Sequence, residues 1–327
     1  MELHISDLHL GVENREETRI TLAKVAQFLD QNKSIERVIL NGDGIAGYLQ
    51  RSNPDWQSVK DAMFEPLGDY LSDEDSRVEF AYLLGNCDNP HHSAEFGLQD
   101  KRGDRYTDHK NGVLTFHGHQ LEPNKQLLIA DAVLHAVGSI SVSGRNALEK
   151  ILPGHLFDRS TSMELMKLCI KNDPAVHSKL HTLDSTTHQS NTALNSRIDI
   201  VLKRMPWIQK LKDRFILDVL KDVYLRSLIT LSSALVEEGV IEKPHTISFG
   251  HIHSPDCMYS AEELRKRGIS ATHMPEYVVN TGTGVPLLQE NGGTNQAHFV
   301  VIDNAGNPSL WRSFDASHPD RPPYKVR

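Results

Sequence analysis

Asp7 and His9 stand two residues apart, just past the apolar stretch Leu3-His4-Ile5. In an extended chain residues i and i+2 point to the same side, so these two side chains can reach one ion together. Four further apolar runs end in the same way. Asp43 follows Arg37-Val38-Ile39-Leu40, Asn86 follows Phe80 to Leu84, His117 follows Val113 to Phe116, and His251 and His253 follow His245 to Phe249. These are two carboxylates, one amide oxygen and four imidazoles. Such a mixed nitrogen and oxygen set suits divalent Mn, Fe, Co, Ni or Zn better than Mg or Ca, which prefer oxygen shells. Seven ligands exceed what one tetrahedral ion takes and suit two ions that share a bridge. A carboxylate is the natural bridge, because its charge offsets two neighbouring cations, and Asp43 lies between the two ligand sets. His251 and His253, if locally extended, are roughly 7 Å apart; ions about 3.5–4 Å apart could take one each.

The elements that must deliver these residues follow from the apolar pattern. A helical stripe over residues 16–31 (Ile20, Leu22, Val25, Phe28, Leu29) separates the first two strands. A second stripe, Trp56, Val59, Met63, Leu67 and Tyr70, separates the second strand from the third. This strand–helix alternation is the rhythm of an α/β sheet, and each candidate ligand falls just past a strand's C-terminal end, where such sheets place their sites. From about Lys125 to Lys243 the chain reads as helical, with Thr161-x-x-Glu164 as a capping box and its strongest apolar helix from Trp207 to Leu231. Residues 183–196 are polar and read as a loop. Strands resume at His245 to Phe249 and Tyr277 to Asn280, and Asn304-Ala305-Gly306-Asn307 joins a closing hairpin. The reading is therefore a core over residues 1–124 and 244–314, an inserted helical cap over 125–243 and a surface tail over 315–327.

A chain of 327 residues with 35 basic and 43 acidic residues carries a formal charge of −8. That balance disfavours a chain-wide nucleic-acid surface, which needs a basic footprint. Three scattered cysteines make no disulfide framework. The first apolar strand follows Met1 at once, leaving no room for a secretion leader, and no run approaches a membrane span. The expected location is the cytoplasm.

In this order the blocks D-x-H, G-D, G-N, H and G-H-x-H resemble the calcineurin-like metallophosphoesterase superfamily, over residues 1 to about 120 and 245 to about 314. The resemblance implies a four-layer α/β/β/α sandwich and hydrolysis of a phosphoester at two divalent transition metal ions, manganese first, with Fe, Zn, Ni or Co as alternatives. It puts one ion on Asp7, His9, Asp43 and His253, and the other on Asp43, Asn86, His117 and His251. Two cations would lower the pKa of a bridging water and clamp the phosphate oxygens through an in-line displacement; Asn86 and His117 would also meet the substrate. The chain departs from the commonest pattern at Cys87, where the family usually has the histidine thought to protonate the leaving group. Cys87, Asp88 and His119 are therefore the catalytic candidates beyond the metal ligands, with His91 and His92 as possible substitutes for the missing acid.

The expected function is a phosphodiesterase or phosphomonoesterase acting on a small phosphorylated substrate that the cap selects. The 16 basic residues against 13 acidic ones over 125–243 admit contact between the cap and a lipid or membrane surface, although a solvated basic edge explains them as simply. A pyrophosphatase of a nucleotide-linked lipid or sugar, similar to the UDP-2,3-diacylglucosamine pyrophosphatases, is the nearest alternative. A non-catalytic, protein-binding scaffold with the same fold is the alternative from another class.

Overall fold

Strand β1 (Glu2–Ile5) is an uninterrupted run of buried residues, as a strand covered on both faces requires. It pairs in parallel with β2 (Arg37–Asn41), which pairs in parallel with β3 (Glu79–Leu83). The computed structural model describes residues 1–9, 15–44, 65–71, 76–85, 88, 106–118, 121, 159–171, 173, 175–176, 215–252, 258–282, 296–315, 317–318 and 320–327. Between β1 and β2 lies α1 (Arg15–Gln31), with Glu16 and Glu17 favourably placed in its first turn. Its C-terminal turn is closed by Asn32, whose side-chain amide donates to the Phe28 carbonyl at 2.8 Å. Ahead of β3, a 3-10 turn at Glu65–Leu67 runs into the short helix α2 (Gly68–Leu71).

On its other side β1 meets β9 (Gln296–Ile302), followed by β10 (Pro308–Asp315) and the edge strand β11 (Tyr324–Lys325), all antiparallel. The six-stranded order is β11-β10-β9-β1-β2-β3. The second sheet has five strands. Antiparallel β4 (Thr107–Lys110) leads to parallel β5 (Val113–Phe116), β6 (Thr246–Phe249) and β8 (Tyr277–Asn280), with β7 (Met258–Ser260) antiparallel on the far edge.

Val113, Met258 and Val279 of the second sheet share one apolar cluster with Val300, Ile302 and Leu310 of the first. Across the first sheet's other face, Phe28 of α1 packs on Phe299 and Trp311 at ring separations of 5.0 and 4.7 Å. Helix, sheet and sheet therefore form three successive layers, a mixed α/β architecture with two multistranded sheets.

The chain divides into two compact units. One holds residues 1–119, 244–261 and 275–327; the other holds 120–243 and 262–274. In the second unit α3 (Arg159–Ile170) buries Leu165 and Met166, and α4 (Phe215–Glu237) buries Leu225, Leu228, Ile229 and Leu235. Within that unit Lys167 pairs with Glu238, and Arg267 pairs with Asp222 at 2.8 Å. Helix α5 (Ala261–Lys266) begins in the first unit and continues in the second. No helix among the described residues is long and apolar enough to cross a membrane.

Several details differ from the sequence reading. α3 starts at Arg159, so Thr161 lies inside the helix and not at its cap. β4 and β7 were not expected, because Thr107-Asp108-His109-Lys110 has no apolar alternation and Met258–Ser260 is short. The hairpin from β4 to β5 nonetheless has a sequence signature. Asn111 and Gly112 both have positive φ, 54° and 73°, the two-residue turn that Asn-Gly favours. Of the stretches expected to be helical or looped, 56–64, 125–158 and 177–214 lie outside the described residues.

Candidate metal centre

Asp7 and His9 leave β1 as β1 and β2 separate, and two backbone hydrogen bonds carry the parallel pairing past the strand ends. Asp7 N–H donates to the Gly42 carbonyl at 3.0 Å and His9 N–H to the Asp43 carbonyl at 2.9 Å. Both turns then coil into the left-handed region, with φ of 54° at Asp7, 41° at His9 and 51° at Asp43; His251, at the end of β6, has φ of 70°. Left-handed backbone at a residue with a side chain costs of order 1–3 kcal/mol and concentrates where function demands it. Four of the five described non-glycine residues with positive φ are the candidate ligands Asp7, His9, Asp43 and His251.

The side chains converge. Asp7, Asp43 and His117 are essentially buried, at 0%, 2% and 0% exposure, while His9 and His251 are partly exposed. His9 Nε2 lies 3.8 Å from Asp7 Oδ1 and 3.9 Å from Asp43 Oδ2. His117 Nε2 lies 3.3 Å from Asp43 Oδ2 and 3.9 Å from Asp7 Oδ1. The His117 and His251 rings meet edge to face at 5.3 Å. Two triplets of ligand atoms result, Asp7 with His9 and Asp43, and Asp43 with His117 and His251. Within each, all ligand atoms lie within 4.8 Å of one another. Asp43 belongs to both.

Second groups hold His117, Asp7 and the turn of His251. The His117 Nδ1–H donates to the Asn41 carbonyl at 2.8 Å, which in the neutral ring leaves the lone pair on Nε2, facing the carboxylates. Asp7 accepts the Ser6 hydroxyl at 2.5 Å and the His251 backbone N–H at 3.1 and 3.2 Å. Ser6 also bonds the Thr281 hydroxyl. Asn280, at the end of β8, donates to the Gly250 carbonyl at 2.7 Å and accepts the Gly282 N–H at 2.8 Å, fixing the turn that carries His251. Glycine is required at Gly42 and at Gly85. A methyl on Gly42, itself at φ 78°, would overlap the His117 ring, and one on Gly85 would overlap the Asp43 carboxylate.

The electrostatics favour positive charge here. Burial opposes the charged form of His117, but the carboxylates of Asp43 and Asp7 outweigh it and hold the imidazole's pKa up at about 10. A divalent cation among the same carboxylates would satisfy the same demand without the proton. Two carboxylates and three imidazoles in two triplets form a donor set that fits a transition metal pair.

Asp88 is half-buried and its carboxylate is fully engaged. Oδ2 accepts the N–H groups of Asp43 and Gly85, both at 2.8 Å, while Oδ1 accepts the Gly44 N–H at 3.1 Å and the Tyr82 hydroxyl at 2.7 Å. Burial and then the Asp43 charge push its carboxyl up to about 6, against these donors. Asn86, Cys87, His119 and His253 lie outside the described residues, as do His91 and His92. The supporting residues Ser6, Asn41, Tyr82, Asn280 and Thr281 were not singled out from the sequence. Their one common signal is position, inside or beside the strand ends that carry the ligands.

A family model for the calcineurin-like phosphoesterases matches residues 3–255. The chain belongs to this family. A search of curated proteins finds no match. The matched span runs from β1 through the turn after β6, so it includes every described candidate ligand. Membership implies metal-dependent phosphoester hydrolysis, and the two triplets around Asp43 are candidate positions for the divalent ions such a reaction uses.

Proposed function

We propose that this protein is a phosphoesterase working at two divalent ions, one held by Asp7, His9, Asp43 and His253 and the other by Asp43, Asn86, His117 and His251. The observation that carries this reading is the membership of Asp43 in both ligand triplets, the position a bridging carboxylate must occupy. When bound, the two cations supply an activated water nucleophile and charge that neutralises the phosphate oxygens. The chain's own residues do the rest. Asp7 and Asp43 bring negative charge to offset the ions, and burial protects that charge from solvent screening. The Asn41 carbonyl fixes the tautomer and orientation of His117, so that its Nε2 faces the site. Asn86 and His117 border the phosphate. Cys87 and His119 are the candidates for protonating the leaving oxygen, whereas the described contacts of Asp88 commit its oxygens to backbone amides and Tyr82.

Manganese is the first choice of metal on this mixed donor set. The four-layer form of the core, and a cap over residues 125–243 that selects a small phosphorylated substrate, complete the proposal. Good leaving groups need the least help from an acid, so aryl esters are the appropriate probes. Metal-stripped protein should be inactive on aryl phosphate mono- and diesters and regain turnover with Mn²⁺, Co²⁺ or Ni²⁺. Absence of turnover with every metal, unchanged in Asp43→Ala, would refute an enzymatic role.

A further inference from the structure

The turns after β2 and β3 leave neighbouring parallel strands, and Asp88 ties one to the other. Three backbone N–H groups, those of Asp43, Gly44 and Gly85, converge on the one Asp88 carboxylate at 2.8, 3.1 and 2.8 Å. Converging amides of this kind form a cradle for an anion, and here the chain fills the cradle itself. The fourth donor is the hydroxyl of Tyr82, a β3 residue only 4% exposed, at 2.7 Å. The fit is close on every side. A methyl on Gly44 would overlap the Tyr82 ring and hydroxyl, and one on Gly85 would overlap both the backbone nitrogen and the carboxylate of Asp43.

The arrangement carries a cost, because a third carboxylate is set beside Asp43 and like charges repel. An amide or a water could serve as spacer without that repulsion. A carboxylate accepts all four hydrogen bonds, and one of them falls on the N–H of Asp43 itself, the residue whose left-handed backbone, φ 51°, aims its side chain between His9 and His117.

We propose that Asp88, locked by Tyr82, is the positioning residue of this centre. It holds the Asp43 backbone in the conformation that puts one carboxylate within reach of both ions. It touches neither substrate nor ion and acts through Asp43. The inference rests on the two-ion reading above and adds a residue pair to it.

The test measures metal binding apart from turnover. Manganese titration of the full-length metal-free protein by calorimetry gives the number of ions bound and their Kd values. Electron paramagnetic resonance of the loaded protein reports the exchange coupling between two Mn²⁺ ions that share a bridge. Asp88→Asn presents an N–H₂ where a backbone N–H expects an acceptor. It should weaken binding of the second ion by about 10–100-fold, the range for groups that orient a ligand, and reduce the coupled signal. It should lower kcat with little change in KM. Tyr82→Phe removes one hydroxyl and should shift the same quantities in the same direction by a smaller factor, about 2–10-fold, within what one lost hydrogen bond allows.

Circular dichroism and the thermal midpoint of the metal-free variants establish that they fold. A folded Asp88→Asn protein with wild-type Kd values and coupled signal would overturn the positioning role while leaving the two-ion reading intact. Should Asp88→Asn not fold, an unchanged Kd and signal in Tyr82→Phe would overturn it equally. A wild-type protein that binds fewer than two ions and shows no coupled signal would instead remove the two-ion reading, and this role with it.

Discussion

Acidic residues gather at both ends of strands β1 and β2, and the two ends treat them differently. At their starts Glu2, Asp108 and Glu79 surround Arg37, which is 3% exposed. Its guanidinium grips Asp108 bidentately at 2.6 and 2.8 Å, reaches Glu79 at 3.2 Å and lies 3.8 Å from Glu2. Burial works against the Arg37 charge, but the carboxylates of Asp108, Glu2 and Glu79 raise its pKa further and keep it a cation. Just past the ends of the same strands, the described partners of the Asp7 and Asp43 carboxylates are imidazoles, a hydroxyl and the His251 backbone amide. At one end the chain brings its own fixed cation. At the other it brings donors that suit an exchangeable one. Backbone geometry follows the same division, since Glu2 and Arg37 sit in regular strand whereas Asp7, His9 and Asp43 are left-handed. The first arrangement joins two sheets, because Arg37 lies on the six-stranded sheet and Asp108 on the five-stranded one. The second holds side chains in place for chemistry.

Exchanging the perturbation between the ends should separate these roles. Asp43→Asn should have the largest effect on activity, a loss in kcat beyond the roughly 10–100-fold typical of groups that merely orient ligands. The metal-free protein should remain folded, as urea unfolding would check. Arg37→Met should do the reverse. Leaving Asp108 and Glu2 without their cation should cost about 3–5 kcal/mol of stability, read from urea unfolding, while calorimetry still counts two manganese ions. The double variant Arg37→Met with Asp108→Leu should recover much of that loss, because an apolar pair removes the stranded charge as well.

Acid should also act on the fixed-cation end. Burial raises the Glu2 pKa, but the His4 hydrogen bond and the charges of His4 and Arg37 outweigh it and bring the carboxyl below its ordinary 4.5. A carboxyl depressed in the folded state adds stability that is present above its unfolded pKa and is lost as pH falls through the folded one. Glu2→Gln should therefore lower stability at neutral pH and so flatten its further decline below about pH 4.5, in unfolding curves taken across that range. The smallest effect belongs to Lys110→Ala. Lys110 and Glu79 are 50% and 46% exposed at 3.1 Å. An ion pair so open to solvent is worth at most about 0.5–1 kcal/mol, so the midpoint should barely move and metal binding should not.

Much of this was legible before any coordinates. The apolar runs at Arg37 to Leu40, Val113 to Phe116 and Tyr277 to Asn280 reappear as β2, β5 and β8, because buried parallel strands read as continuous apolar segments whatever surrounds them. Asp7, His9, Asp43, His117 and His251 stood out because strand ends in α/β sheets are where functional side chains emerge, and ligand chemistry limits the residue types. Edge strands β4 and β11 were not legible. A strand paired on one side needs little apolar pattern, so Thr107–Lys110 and Tyr324–Lys325 look like loop.

The sequence by itself determined the residue types, their order and their attachment to strand ends, since these are local properties of the chain. The bridging place of Asp43 was among those readings, and both ligand triplets contain it. Only the tertiary structure decided that Ser6 and Thr281 meet beside Asp7, and that Asp88 closes on the amides of a turn forty-five residues away. It also decided that Arg37 is the cation for a carboxylate on another sheet. Such pairings join residues far apart in the chain, and a hydrogen bond or a shared charge depends on distance in space, which the spacing of letters does not record.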